Sequence, residues 1–245
     1  MRLILLLFLT ISCPSARAIN AIQDISELAL LPTYCRGTQQ IRTISGDTKP
    51  LEEYVAIYGE AFLHLQHYCW ALSGENKLPK MRDENQRQSE MISILGNIQY
   101  VLDRSPLNFS LLPEMYISKA RILFKMDRDV EAIGVLFKLT QLRPDYGPAY
   151  DQLGDYYQRI GEKRSAIATY EQGILNSPKD NTAFFIKKIR KLDKNYKVRQ
   201  PKEKPAMEQA VQQPADVPAA ASAPADTAPP VEPEKKPNPY CRFCP

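Results

Sequence analysis

Residues 147–180 read GPAYDQLGDYYQRIGEKRSAIATYEQGILNSPKD, and the spacing of their apolar and small side chains decides the fold. Tyr150, Leu153, Gly154 and Tyr157 recur at steps of three and four, the period of one helix face. Ala166, Ile167, Tyr170 and Ile174 do the same in a second segment. Gly154 and Ala166 are small where two helices must approach closely. Gly161 suits the tight turn between them, where a left-handed residue is needed. Pro178 cannot continue a helix and stops the second one. The stretch therefore predicts a helical hairpin, with helices over 147–160 and 163–176.

Sliding residues 113–146 onto 147–180 shows the pattern a second time. Tyr116 falls on Tyr150, Ala132 on Ala166, Ile133 on Ile167 and Pro144 on Pro178. The later copy reads Y-x2-L-G-x2-Y, then Ala166, Tyr170 and Pro178. This resembles the tetratricopeptide repeat, W-x2-L-G-x2-Y…A-x3-F…P over 34 residues, with Tyr150 in place of Trp and Tyr170 in place of Phe. The earlier copy, 113–146, is looser: Lys119 stands at the Leu position and Ala120 at the Gly position.

Two such hairpins do not bury a continuous core, and about three are needed. Residues 51–73 carry Tyr54, Tyr58, Ala61, Phe62, Leu65, Tyr68, Cys69 and Leu72 on one stripe, and residues 86–104 carry Met91, Ile94, Leu95, Ile98, Val101 and Leu102. We read 51–112 as a degenerate leading pair, with a loop at 74–85, an insertion at 109–112 and Pro106 as its terminator. Residues 181–197 form a capping helix with Phe184, Phe185, Ile186, Ile189 and Leu192 on one side. Lys187, Lys188, Arg190, Lys191 and Lys194 cover its other side, as a solvating cap or as a basic surface for an anionic partner. From 198 to 245 the chain is Pro-, Ala-, Gln-, Lys- and Glu-rich, without the apolar side chains that would offset ordering entropy. The expected fold is all-α: a short right-handed stack of tetratricopeptide-like helical hairpins, followed by a disordered Pro/Ala-rich C-terminal tail.

The first eighteen residues read as a secretory signal peptide: Arg2, an apolar block at 3–11, Pro14, and Ala16-Arg17-Ala18 as cleavage site. Cys13 loosely resembles a lipoprotein site, but Thr10 stands where Leu is usual, so soluble export to a periplasm or the exterior is preferred over a lipid anchor. Export favours disulfides. Cys35 and Cys69 are expected to pair, tying segment 19–50 to the body under Tyr34, Tyr68 and Trp70. The tail ends in Cys241-Arg242-Phe243-Cys244, which reads as a local disulfide, a redox or docking tip, or half of a metal site completed elsewhere. Pro245 stands where haem attachment would need His.

A net charge of +4 is too balanced for a dedicated nucleic-acid binder. No long apolar run predicts a transmembrane span. Enzyme signatures are missing: no G-x-S-x-G, no P-loop, no H-E-x-x-H and no Rossmann glycines. No catalytic residue, cofactor or metal is therefore expected. His64 and His67 share a helix face and could both reach a metal, but the preferred reading is that one packs or hydrogen-bonds inside the helix hairpin and the other is exposed. The resemblance implies a groove lined by the first helix of each pair. By phase this places Ile117, Arg121 and Phe124 from one copy and Asp151, Asp155 and Gln158 from the next. The family's Lys/Asn carboxylate clamp is absent, because Ile117, Asp151, Arg121 and Asp155 occupy those phases. The expected function is protein–protein interaction, as a periplasmic adaptor or assembly factor whose partner has a basic segment and an apolar anchor. The alternative is a thiol-redox or metal-handling accessory acting through Cys241 and Cys244.

Overall fold

The computed structural model describes residues 22, 24–178 and 181–197. The expected signal peptide, Cys13, and the tail with Cys241 and Cys244 lie outside the described residues. Within them every regular element is helical, and no strand occurs. The chain runs α1 (Ile25–Leu28), α2 (Arg42–Ser45), α3 (Leu51–Tyr58), α4 (Gln66–Lys77), α5 (Glu84–Leu102), α6 (Leu112–Lys125), α7 (Asp129–Leu142), α8 (Gly147–Arg159), α9 (Lys163–Asn176) and α10 (Thr182–Leu192). Short 3-10 turns cover Thr33–Gly37, Glu60–His64 and Leu78–Lys80. From α4 to α10 each helix packs on the next.

The hairpin helices follow the 34-residue phase closely. Helices α7 and α9 begin 34 residues apart (163 − 129) and end 34 apart (176 − 142), and α6 and α8 end 34 apart (159 − 125). Ala132, Ala166, Leu136, Tyr170 and Ala120 are fully buried. Gly154 allows the close approach of α8 and α9, because a Cβ there would sit 2.2 Å from the Tyr170 ring. The apolar interior falls into two parts. One extends from Ile22 and Leu28 to Ala149 and Leu153, and the other joins Tyr150, Ala166 and Tyr170 to Phe185 and Ile189 of α10.

The helix expected over 51–73 is broken. Gly59 takes φ 83° and ψ 175°, a conformation essentially reserved for glycine, and ends α3. The chain doubles back, so Tyr54 stacks on Phe62 with ring centroids 4.9 Å apart. On a straight helix, residues eight apart would lie about 12 Å apart along the axis.

The loop expected at 74–85 is mostly helix as well. Ser73 and Gly74 both lie inside α4, and a 3-10 turn follows to Lys80. Gly74 is small because α5 crosses there: a Cβ would meet the Glu90 carboxylate at 2.4 Å and Ile94 at 3.0 Å. Asp83 then caps α5, accepting from the Gln86 amide at 2.8 Å, which starts that helix before the expected residue 86.

Cys35 and Cys69 are joined by a disulfide, and both are fully buried. It fastens the 3-10 turn at Thr33–Gly37 to α4.

Candidate functional site

The residues expected to line a groove come from α6 and α8, and the structure sorts them into three groups. Ile117 is only 8% exposed and belongs to the core, so it offers no groove surface. Helical phase alone placed it wrongly, because α6 is buried on a broad arc that also includes Ser118 and Ala120. Gln158 is exposed. The other four side chains meet partners from neighbouring helices.

Arg121 forms a forked pair with Glu75 of α4, at 2.5 Å from Nε and 2.8 Å from Nη2, and Lys125 reaches the same carboxylate at 3.3 Å. Burial pushes the Glu75 carboxyl up, but Arg121 and Lys125 outweigh it and hold it below the usual range. Asp151 and Asp155 share Lys188 of α10, at 2.5 Å and 2.7 Å. The Tyr170 hydroxyl donates to Asp155 at 2.6 Å. Burial raises the Asp151 carboxyl despite the ammonium beside it. Burial works to lower Lys188, and the two carboxylates more than reverse it. The two acidic residues thus already share one cation within the fold, so a basic partner meets one residual negative charge where two open carboxylates were expected.

Between these ionic knots lies an aromatic step. Phe124 stacks on Tyr156 with centroids 5.5 Å apart and planes 20° apart. The Arg159 guanidinium lies 4.9 Å from the Phe124 ring and 5.4 Å from the Tyr156 ring, and it also pairs with Asp129 at 3.1 Å. A cation over aromatic faces is held by the ring quadrupoles while its N–H groups stay available. Arg121, Phe124, Lys125, Gln152, Asp155, Tyr156 and Arg159 enclose a hollow of about 460 Å³. Three of these, Arg121, Phe124 and Asp155, were expected from the sequence; Lys125, Gln152, Tyr156 and Arg159 were not. Tyr156 neighbours Tyr157, whose ring helps pack α8 on its core side, so the repeat pattern drew attention to the wrong tyrosine of the pair.

The arrangement is connected to the disulfide. Tyr34 donates to Glu114 at 2.9 Å and Tyr68 to the same oxygen at 3.3 Å. Ser118 Oγ lies 3.1 Å from the Tyr68 hydroxyl and accepts from Arg121 at 3.0 Å. Burial pushes both tyrosine hydroxyls well above their ordinary value, so they remain donors. Trp70 packs against the core that holds the disulfide and lies edge-on to the His67 ring at 4.7 Å.

His67 packs between Trp70 and Tyr100 and pairs through Nδ1 with the Asn97 side chain at 2.9 Å. His64 lies edge-on to Tyr100. Burial lowers both imidazoles, chiefly by desolvating the charged form. Among the described residues no group of three His, Cys, Asp or Glu side chains is placed to hold a metal ion. Nor is any described helix long and apolar enough to cross a membrane.

A second hollow, of about 450 Å³, opens between α5, α6 and α7 and includes Gln99, Tyr116, Lys119, Glu131 and Lys138. Burial lowers Lys119, which donates to Gln99 at 2.6 Å.

Comparison with family models, with curated proteins and with solved structures found no match.

Proposed function

We propose that this chain is an exported, tetratricopeptide-like adaptor that holds an extended segment of a partner protein across α6 and α8. The observation that carries this reading is the hollow over the Phe124–Tyr156 stack, walled by Arg121, Lys125 and Arg159. Stacked rings beside a guanidinium offer an apolar seat and directed N–H donors in one place, the combination that anchors interface hot spots. The 34-residue recurrence of helix ends, the helix-by-helix packing and the close approach at Gly154 support the repeat reading. The partner segment carries an apolar or aromatic residue for the rings and a carbonyl or carboxylate for Arg159 and Lys125. A basic segment is no longer part of this description, because Asp151 and Asp155 are held by Lys188.

The test is capture of partners from the native envelope without reductant, using three forms of the chain. These are the wild type, the double variant Phe124→Ala/Tyr156→Ala, and the double variant Cys241→Ser/Cys244→Ser. The adaptor reading expects a partner lost from the first variant and kept by the second. The reverse pattern replaces it with the thiol reading.

A further inference from the structure

The last described helix carries a charge imbalance that the groove does not use. Residues 187–204 hold nine Lys and Arg (Lys187, Lys188, Arg190, Lys191, Lys194, Lys197, Arg199, Lys202 and Lys204) against two acids, Asp193 and Glu203, a net of +7. The whole chain is +4, so everything outside these eighteen residues sums to −3. So uneven a division is a signal of an anionic partner, not of solubility alone.

The structure places the cations that begin this run. Phe185 and Ile189 are buried against α9, and Lys188 turns inward to Asp151 and Asp155. Lys187, Arg190, Lys191, Lys194 and Lys197 are exposed, and none of them forms an ion pair among the described residues. Phe184, Lys187 and Lys191 follow one another at steps of three and four, so they share one line along α10. Phe184 is 47% exposed on that line.

We propose that this outer face of α10 docks on an anionic lipid surface. A straight line of ammonium groups suits a plane of phosphate headgroups, and a half-exposed phenylalanine beside them suits the boundary with the acyl chains. Single-stranded nucleic acid is bound instead on aromatic platforms along a groove, and among the described residues this face offers the single exposed ring of Phe184.

The experiment is co-sedimentation of the chain from residue 19 onward, which retains every described residue, with phosphatidylcholine vesicles with and without phosphatidylglycerol. Binding to the phosphatidylglycerol vesicles, falling steeply with added salt, is expected. The triple variant Lys187→Glu/Lys191→Glu/Lys194→Glu should weaken it by at least about tenfold, since each lysine near such a surface contributes several-fold. A milder pair, Arg190→Gln/Lys191→Gln, gives the same direction should the triple variant fold poorly. Phe184→Ala should weaken what binding survives at high salt. Equal sedimentation with both vesicle types, variants that bind like the wild type, or tighter binding to a short single-stranded oligonucleotide than to the vesicles would each overturn the proposal.

Discussion

Asp127 and Gly161 occupy the same backbone conformation 34 residues apart, with φ of 57° and 82° in the turns α6–α7 and α8–α9. Each turn reverses the chain by one left-handed residue. Only one of the two positions has the residue that adopts this conformation without cost. Replacing Gly161 with Ala should cost about 1 kcal/mol, and Asp127→Gly should stabilise by about 0.5 kcal/mol. Urea midpoints of the two variants should therefore move in opposite directions.

Gly154 tests the packing of α8 on α9. A methyl group there would overlap the ring of Tyr170, which is fully buried and hydrogen-bonded to Asp155, so it has nowhere to move. Gly154→Ala should cost about 3 kcal/mol, an overpacking penalty. Gly96→Ala, where a Cβ meets nothing within 4 Å, is the control and should stabilise by helix propensity alone.

The Cys35–Cys69 bond closes a loop with a sequence separation of 34. In the chain-entropy description it contributes about 4 kcal/mol by restricting the unfolded chain. Cys35→Ser/Cys69→Ser should lower the urea midpoint accordingly, and native-state hydrogen exchange should show the loss first at Thr33–Gly37.

Arg121 and Phe124 should separate folding from binding. Removing Arg121 takes the forked pair from the Glu75 carboxylate, which is 11% exposed, and leaves it Lys125 alone at 3.3 Å, so Arg121→Ala should destabilise by about 2 kcal/mol. Phe124→Ala should cost less, about 1 kcal/mol for the lost stack on Tyr156, while removing partner capture altogether.

Acid should weaken the fold in two windows. His64 and His67 are held below their ordinary 6.5, so the unfolded chain takes up protons first. Stability falls as the pH drops through 6.5 and levels off once the folded imidazoles are also protonated. Glu75 lies below its ordinary 4.5, so its contribution is present above that value and is lost as the pH falls further. In melting curves recorded against pH, His67→Gln should flatten the upper window and Glu75→Gln the lower.

The hairpin α8–α9 was legible because its apolar, small and turn-forming residues all act over short spacings. The same logic misread 51–73, where an unbroken apolar stripe hid the reversal at Gly59. It misread Gly74 too, because a glycine that makes room for Glu90 and Ile94 looks in sequence like a glycine that makes a turn. The groove was half legible. Phase located Arg121, Phe124 and Asp155, but the partners that fix their state, Glu75 and Lys188, are 46 and 33 residues away in the chain. No local pattern records such pairings.

The ionic knots on α4, α6, α7, α8 and α10 carry one more implication. Glu75 answers Arg121 and Lys125, Lys188 answers Asp151 and Asp155, and Asp129 answers Arg159. The three knots carry +1, −1 and 0 in that order, so only beyond about a Debye length of 10 Å is such a surface electrically quiet. It exerts little pull on a distant molecule and little repulsion on a wrong one. Under the proposed adaptor reading, recognition at the Phe124–Tyr156 step is an affair of contact, and selectivity is decided by which side chain remains seated once it arrives.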